Sequence, residues 1–298
     1  DTGLFVGYWD IMSQTSFSMC AWSKIRLGWI EKDQILTVKW NAWNTSATIS
    51  PLELGQGTLA LKVLMGDQSR YYLAEVRQDL RVYGRLLHGG VLVTSIDESK
   101  GSGEGIVTVV DAQPRSSIYV RYELNDACFA LWEYPESVWF SSEQSGFALV
   151  LLSKTGSSYR VMLASVEVGR QAWEAHRAIL AANTTIQKAR EQFRLQGLEE
   201  ANAVLRQGVE RYEGAKFTDS LQLADKARTL ALGADFPRIY YETKKQLEET
   251  SKRLSETIAT LSRAGQANEA NQKCEEASRE LEEAKMAFQL FDMNSTSA

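Results

Sequence analysis

Two histidines, His88 and His176, are the only imidazoles in 298 residues, and they stand too far apart to share the H-E-x-x-H helix that a catalytic zinc site uses. His88 precedes Gly89-Gly90 and reads as a turn residue. His176, beside Trp173 and Ile179, reads as a solvated or semi-buried helix residue rather than a metal ligand. Asp97 and Glu98 end a strand where a general acid and base could stand, but a solvated strand end is the simpler account. The run Gly101-Ser102-Gly103-Glu104-Gly105 is glycine-rich, yet its glutamate would repel a phosphate, so it reads as a hairpin tip. Glu75 and Arg77 alternate with Ala74 and Val76 and read as structural strand residues. No G-x-S-x-G elbow, P-loop or dinucleotide fingerprint occurs.

Three cysteines, Cys20, Cys128 and Cys274, lack the close spacing of a zinc knuckle. One disulfide at most can form, and small buried hydrophobes are the favoured reading. Asn44, Asn183 and Asn294 each begin an N-x-S/T acceptor, which leans toward a secreted, glycosylated chain. The net charge of −5, from 33 basic and 38 acidic residues, gives no footprint for nucleic acid, which is excluded as a partner. The longest apolar run, near Phe147, stops at Ser153-Lys154, well short of a membrane span. The chain opens on Asp1-Thr2-Gly3 with neither Met nor a secretory leader, so a parent polypeptide that starts upstream is expected.

The elements that must position these residues fall into two unlike halves. Seven of eight tryptophans precede residue 140, and only five of twenty glycines lie beyond Trp173. Before residue 168, the runs 34–40, 58–64, 71–76, 90–96, 106–110, 117–122 and 148–152 are β-rich and punctuated by turn residues, and they predict strands. Beyond it, segments rich in Ala, Leu, Glu, Lys and Arg predict helices. One helix is predicted over 171–193. Leu198, Ala201, Leu205 and Tyr212 share one face, and Leu221, Ala224, Ala227 and Ala231 share another, a helical hairpin broken near Gly214. Pro237 is placed to start a third long helix, with Tyr240, Leu247, Leu254 and Leu261 at steps of seven. After a break at Ala264-Gly265-Gln266, the series Ala270, Cys274, Ala277, Leu281, Ala284, Phe288, Phe291 alternates steps of three and four, a coiled-coil seam that needs a partner.

Certain segments carry a more specific pattern. Trp9-Asp10-Ile11-Met12-Ser13, Phe17-Ser18 and the run from Ala21 to Ile30 resemble the region that follows the zinc-binding helix in immune inhibitor A-type metallopeptidases. The segments Tyr71 to Gln78, Gly89 to Glu98 and Val109 to Pro114 are similar to later β-segments of that family, so the resemblance spans roughly residues 1–165. It implies a secreted zinc endopeptidase whose two histidines and general-base glutamate sit on an H-E-x-x-H helix, and that helix is not in this chain. Met12, with Trp9 and Asp10, takes the place of the family's Met-turn, a hydrophobic floor beneath the metal. Asp1 corresponds to the end of a family segment that follows the zinc helix and is the one residue the resemblance offers toward the metal.

The fold class this predicts is α+β and multidomain, a β-rich C-terminal part of a metallopeptidase domain followed by an all-α helical-hairpin or coiled-coil bundle. Its expected parts are the end of a catalytic core over 1–32, a β-rich domain over 33–167 and a helical bundle over 168–298. The expected function is the C-terminal portion of a secreted or cell-surface zinc metalloendopeptidase-like protein, inactive alone. Zinc belongs to the intact parent and none is expected in this chain alone. The implied partners are an upstream catalytic segment, a peptide or protein substrate of the parent, and a second copy through the helices. The alternative is a non-catalytic surface assembly protein built on a degenerate peptidase fold.

Overall fold

The computed structural model describes residues 5–13, 19–82, 85–114, 124–132, 135–142, 144–264 and 269–296. Strands fill the first part and helices the rest, a mixed α/β chain. The strand predicted over 117–122, the break at 265–266, Asp1 and Phe17-Ser18 lie outside the described residues.

Two short helical elements open the chain, a 3-10 turn over Gly7–Trp9 and helix α1 over Ala21–Arg26. Strands follow as β1 (Ile35–Lys39), β2 (Thr45–Ile49), β3 (Ala60–Met65), β4 (Asp67–Arg77), β5 (Leu80–Val82), β6 (Arg85–Leu87), β7 (Gly90–Asp97), β8 (Val107–Val110), β9 (Trp139–Ser142), β10 (Phe147–Thr155) and β11 (Ser158–Ser165). One sheet has the order β1-β3-β4-β7-β8, parallel only at β1 and β3, where Ile35 pairs with Ala60. A second, antiparallel sheet has the order β2-β11-β10-β9, and β5 and β6 form a separate ribbon.

From Tyr71 to Arg77 strand β4 is covered on both faces, and its period of two divides its side chains between two neighbours. Tyr72 points to the second sheet, with ring centroids 5.0 Å from Phe140 and 5.4 Å from Phe147. Tyr71 and Leu73 point the other way, into a core with Trp9, Cys20, Ala21, Leu92 and Ile96. The opening arm, residues 5–13 and 19–30, is thus a third layer laid over the first sheet.

Helices α2 (Val166–Glu191), α3 (Leu198–Glu213), α4 (Phe217–Leu232), α5 (Arg238–Ala264) and α6 (Glu269–Thr296) complete the chain. At Gly169 in the first turn of α2, an added Cβ would meet the Trp139 ring at 2.5 Å and the Ala148 Cβ at 2.7 Å, so only glycine lets the helix approach the second sheet. Contacts divide the chain into two compact units, 1–180 with 209–221 and 181–208 with 222–298.

The predicted helical faces at Leu198, Ala201, Leu205 and Tyr212 and at Ala224, Ala227 and Ala231 are buried, and Leu221, at the start of the second face, is half-buried. In the second unit, α5 packs on α6, and Tyr240 stacks on Phe288 with centroids 4.9 Å apart. The seam is less enclosed than its heptad pattern predicts. Leu247, Leu254, Ala277, Leu281 and Phe288 are half-buried and Ala284 is exposed, because two helices alone shield a seam from one side only.

Candidate functional site

The arm meets β4 through a chain of buried polar groups. Asp10 is 2% exposed, and its carboxylate accepts from Met12 N (2.8 Å) and from Cys20 N (2.9 Å). These two bonds tie the backbone at residues 12 and 20 to one carboxylate. Glu75, fully buried, accepts from Ala21 N at 2.5 Å, so two carboxylates satisfy amides at the start of α1, where a helix has unpaired donors.

Arg77, two residues beyond Glu75 on the same strand face, ties these groups together. Its Nη1 donates to Glu75 (3.0 Å) and to the Trp9 carbonyl (3.3 Å), its Nε donates to Glu53 (2.9 Å), and its guanidinium lies 5.5 Å from the centre of the Trp9 ring. Trp9, with no exposed surface, donates its indole N–H to the Leu124 carbonyl at 2.6 Å. Burial pushes the Glu75 carboxyl up, against the pull of the Arg77 guanidinium and the Ala21 amide. Glu75 and Glu53 hold Arg77 above its ordinary value despite burial, so it remains charged.

Beside this network lies a cavity of about 430 Å3 lined by Asp10, Met12, Cys20, Trp22, Ser23 and Gly105 among others. Its chemistry is passive. Both Asp10 oxygens are already engaged by backbone N–H groups, and burial, with Glu75 and Asp10 nearby, pushes the Cys20 thiol far up and keeps it protonated. Met12 stands 80% exposed and Ile11 42% exposed at the tip of the turn that Asp10 pins. Met12 therefore forms no enclosed floor in the described residues, because the turn projects it outward.

A second cluster fixes α1 from its other side. Glu98 accepts from the Tyr71 hydroxyl (2.8 Å) and the Trp22 indole (3.3 Å), and the Lys62 ammonium sits 3.7 Å from the centre of the Tyr71 ring. Burial and Glu98 push the Tyr71 phenol up, and burial pulls the Lys62 ammonium down. Glu98 is therefore a clasp, although it is exposed as expected for a strand end. Its neighbour Asp97 accepts from Ser99 and caps the turn, and Ser99 holds its carboxyl below the usual range.

The two histidines are not brought together by any contact. His88 is exposed, and its amide donates to the Asn125 carbonyl at 3.0 Å. His176 corrects the expectation of a solvated or semi-buried residue, since it has no exposed surface. The ring of Trp132 stacks on it at 4.7 Å, and the Trp132 amide donates to its Nε2 at 3.2 Å, which fills the imidazole's surroundings with aromatic carbon and one backbone donor. Glu104 turns back to accept from Gly101 N at 2.7 Å, inside the β7–β8 connection, where a hairpin tip was predicted. Asn44, at φ 64° in the turn after β1, and Asn183 on α2 are exposed, and Asn294 lies on α6.

Among the described residues, no three His, Cys, Asp or Glu side chains stand together as metal ligands would. The described residues here do not fit a zinc ion. Sequence reasoning read Glu75 and Arg77 as structural but missed that they dock the arm; the signal was a charged pair at i and i+2 in an otherwise apolar strand. No family model, no curated protein and no solved structure matches this chain.

Proposed function

We propose that this chain is the scaffold portion of a secreted or cell-surface zinc metalloendopeptidase-like protein, and that the zinc-bearing segment lies in the parent outside this sequence. The observation that carries the reading is the convergence of three segments that bear the resemblance. Residues 9–13, 21–30 and 71–78, far apart in sequence, are joined by one buried network through Asp10, Glu75 and Arg77. Such a network holds the Ile11-Met12 turn in a fixed place on the surface, as a rigid support for a catalytic segment requires. In this reading Asp10 sets the turn, Met12 supplies an apolar contact to that segment, and the metal and general base come from the segment itself.

The test is intact mass, metal content and casein cleavage of the protein from its native source, with and without a chelator. A species that contains this chain, carries about one zinc and loses cleavage on chelation is the expected result. A metal-free native species that cleaves nothing would overturn the reading. The half-exposed seam of α5 and α6 favours the second reading, a non-catalytic surface assembly protein, and that result would select it.

A further inference from the structure

Helices α5 and α6 leave a groove of about 460 Å3 open along one flank of their hairpin. Leu247, Ser251 and Phe288 form its half-buried floor. Lys244, Glu248 and Lys252, at steps of four on α5, form one edge, because residues four apart stand above one another on a helix. Lys285 and Gln289, also four apart, form the α6 edge, so the rim carries three lysines against one glutamate. Lys285 is 2.9 Å from Glu282, which does not line the groove. Among the described residues no carboxylate forms an ion pair with Lys244 or Lys252, both exposed, whereas Lys245, outside the groove, is 3.8 Å from Glu249.

The spacing of the floor and the sign of the rim together select an occupant. The floor belongs to a seam whose apolar residues recur at steps of seven on both helices, Leu247 and Leu254 on α5 and Leu281 and Phe288 on α6, and all four are half-buried. A third helix with its own apolar stripe covers such a seam, since its a and d residues recur at the same spacing. The rim then sets the charge beside that stripe, because carboxylates there meet Lys244, Lys252 and Lys285 while lysines are repelled. A second copy docked through the same groove would set lysines against lysines. We propose that the open flank of the α5–α6 hairpin is a docking groove for an acidic amphipathic helix of a partner protein, with its apolar stripe on Leu247 and Phe288 and its carboxylates facing Lys244, Lys252 and Lys285. The α5 edge runs from Lys244 to Lys252, about 12 Å of helix, so the groove grips about two turns of the partner. The proposal stands apart from the peptidase reading.

Fluorescence anisotropy of a labelled synthetic helix mixed with the full chain tests this. The probe is a peptide of about three heptads with Leu at a and d and Glu at e and g, and its twin carries Lys at e and g. The acidic peptide is expected to bind with a Kd below about 50 μM at low salt and to weaken at least about fivefold as salt rises from about 50 to about 500 mM. Its lysine twin should bind at least about tenfold more weakly. Lys244→Glu with Lys252→Glu should reverse that order, and the gain for the twin also shows that the hairpin remains folded. Arg253→Glu, outside the groove, should leave both affinities within about twofold of the wild type. No binding of the acidic peptide at about 200 μM chain, equal binding of the two peptides, or a doubly reversed variant that keeps the wild-type order overturns the proposal. Sedimentation equilibrium adds one further outcome, since a wild-type dimer that is lost in the doubly reversed variant assigns the groove to a second copy and overturns it as well.

Discussion

The arm-covered sheet and the α5–α6 hairpin place their polar and apolar groups in opposite ways. In the first, Glu75, Arg77 and Asp10 are all but inaccessible to water, Glu75 and Arg77 held by partners from distant parts of the chain and Asp10 by the amides of Met12 and Cys20. In the second, charges lie in water while Ile239 (70% exposed), Met286 and Tyr241 stand out with them. The difference follows from how many layers each region has. A sheet strand covered on both faces can afford buried charge only where partners are fixed, whereas a helix pair cannot enclose its own seam. Stability in the first region is thus long-range and cooperative, and in the second it is local.

The largest effect should come from Arg77→Met. It leaves the Glu75 carboxyl buried beside no cation and should cost about 3–5 kcal/mol in urea unfolding. Adding Glu75→Met should recover a substantial part, and a double variant no better than the single would break the picture of a coupled pair. Trp9→Ala removes a wholly buried indole and its bond to Leu124, and a loss of about 3–5 kcal/mol is expected. Trp22→Ala sharpens the same point. The family resemblance alone would give it an equal cost, but Trp22 is half-buried, so about half that loss is expected, and equal costs would mean that α1 is more enclosed than it stands.

In the hairpin the expected effects are smaller. Leu281→Asp would cost several kcal/mol in a closed interface, but at a half-buried position about 1–2 kcal/mol is expected for the isolated chain, read as loss of helical circular dichroism before the sheets unfold. A single cooperative transition shifted by the full amount would erase the contrast between the regions. The smallest effect is chemical. Burial pushes the thiols of Cys20 and Cys128 up, so neither should react with a thiol reagent at pH 8 until the first region is unfolded, as peptide mapping of the labelled chain would report. Rapid native labelling of either would place it outside the core.

Local pattern by itself determined much of the element list. Runs of β-branched and aromatic residues marked β1, β3, β4, β7, β8 and β10, and steps of three and four marked the helices, because side-chain period is a property of backbone geometry alone. Apart from β11, the strands it left unmarked are those whose residues carry little apolar signal or are short. Strand β2 is Thr-Ser-Ala-Thr-Ile, and β5, β6 and β9 have three or four residues each. Strand β11, apolar and alternating, was legible through the Gly156-Ser157 turn but was not singled out.

The candidate site was legible only in its pieces. Trp9, Asp10, Met12, Glu75 and Arg77 could each be named from the sequence, yet their roles depend on β4 being covered on both faces. Only tertiary structure decided that Glu75 would cap α1, that Arg77 would reach the Trp9 carbonyl, that His176 would lie beneath Trp132, and that Met12 would face outward. The physical reason is that burial and pairing of a charge are set by residues tens of positions away, which no local period encodes, whereas the heptad of α5 and α6 encodes its own need for a partner.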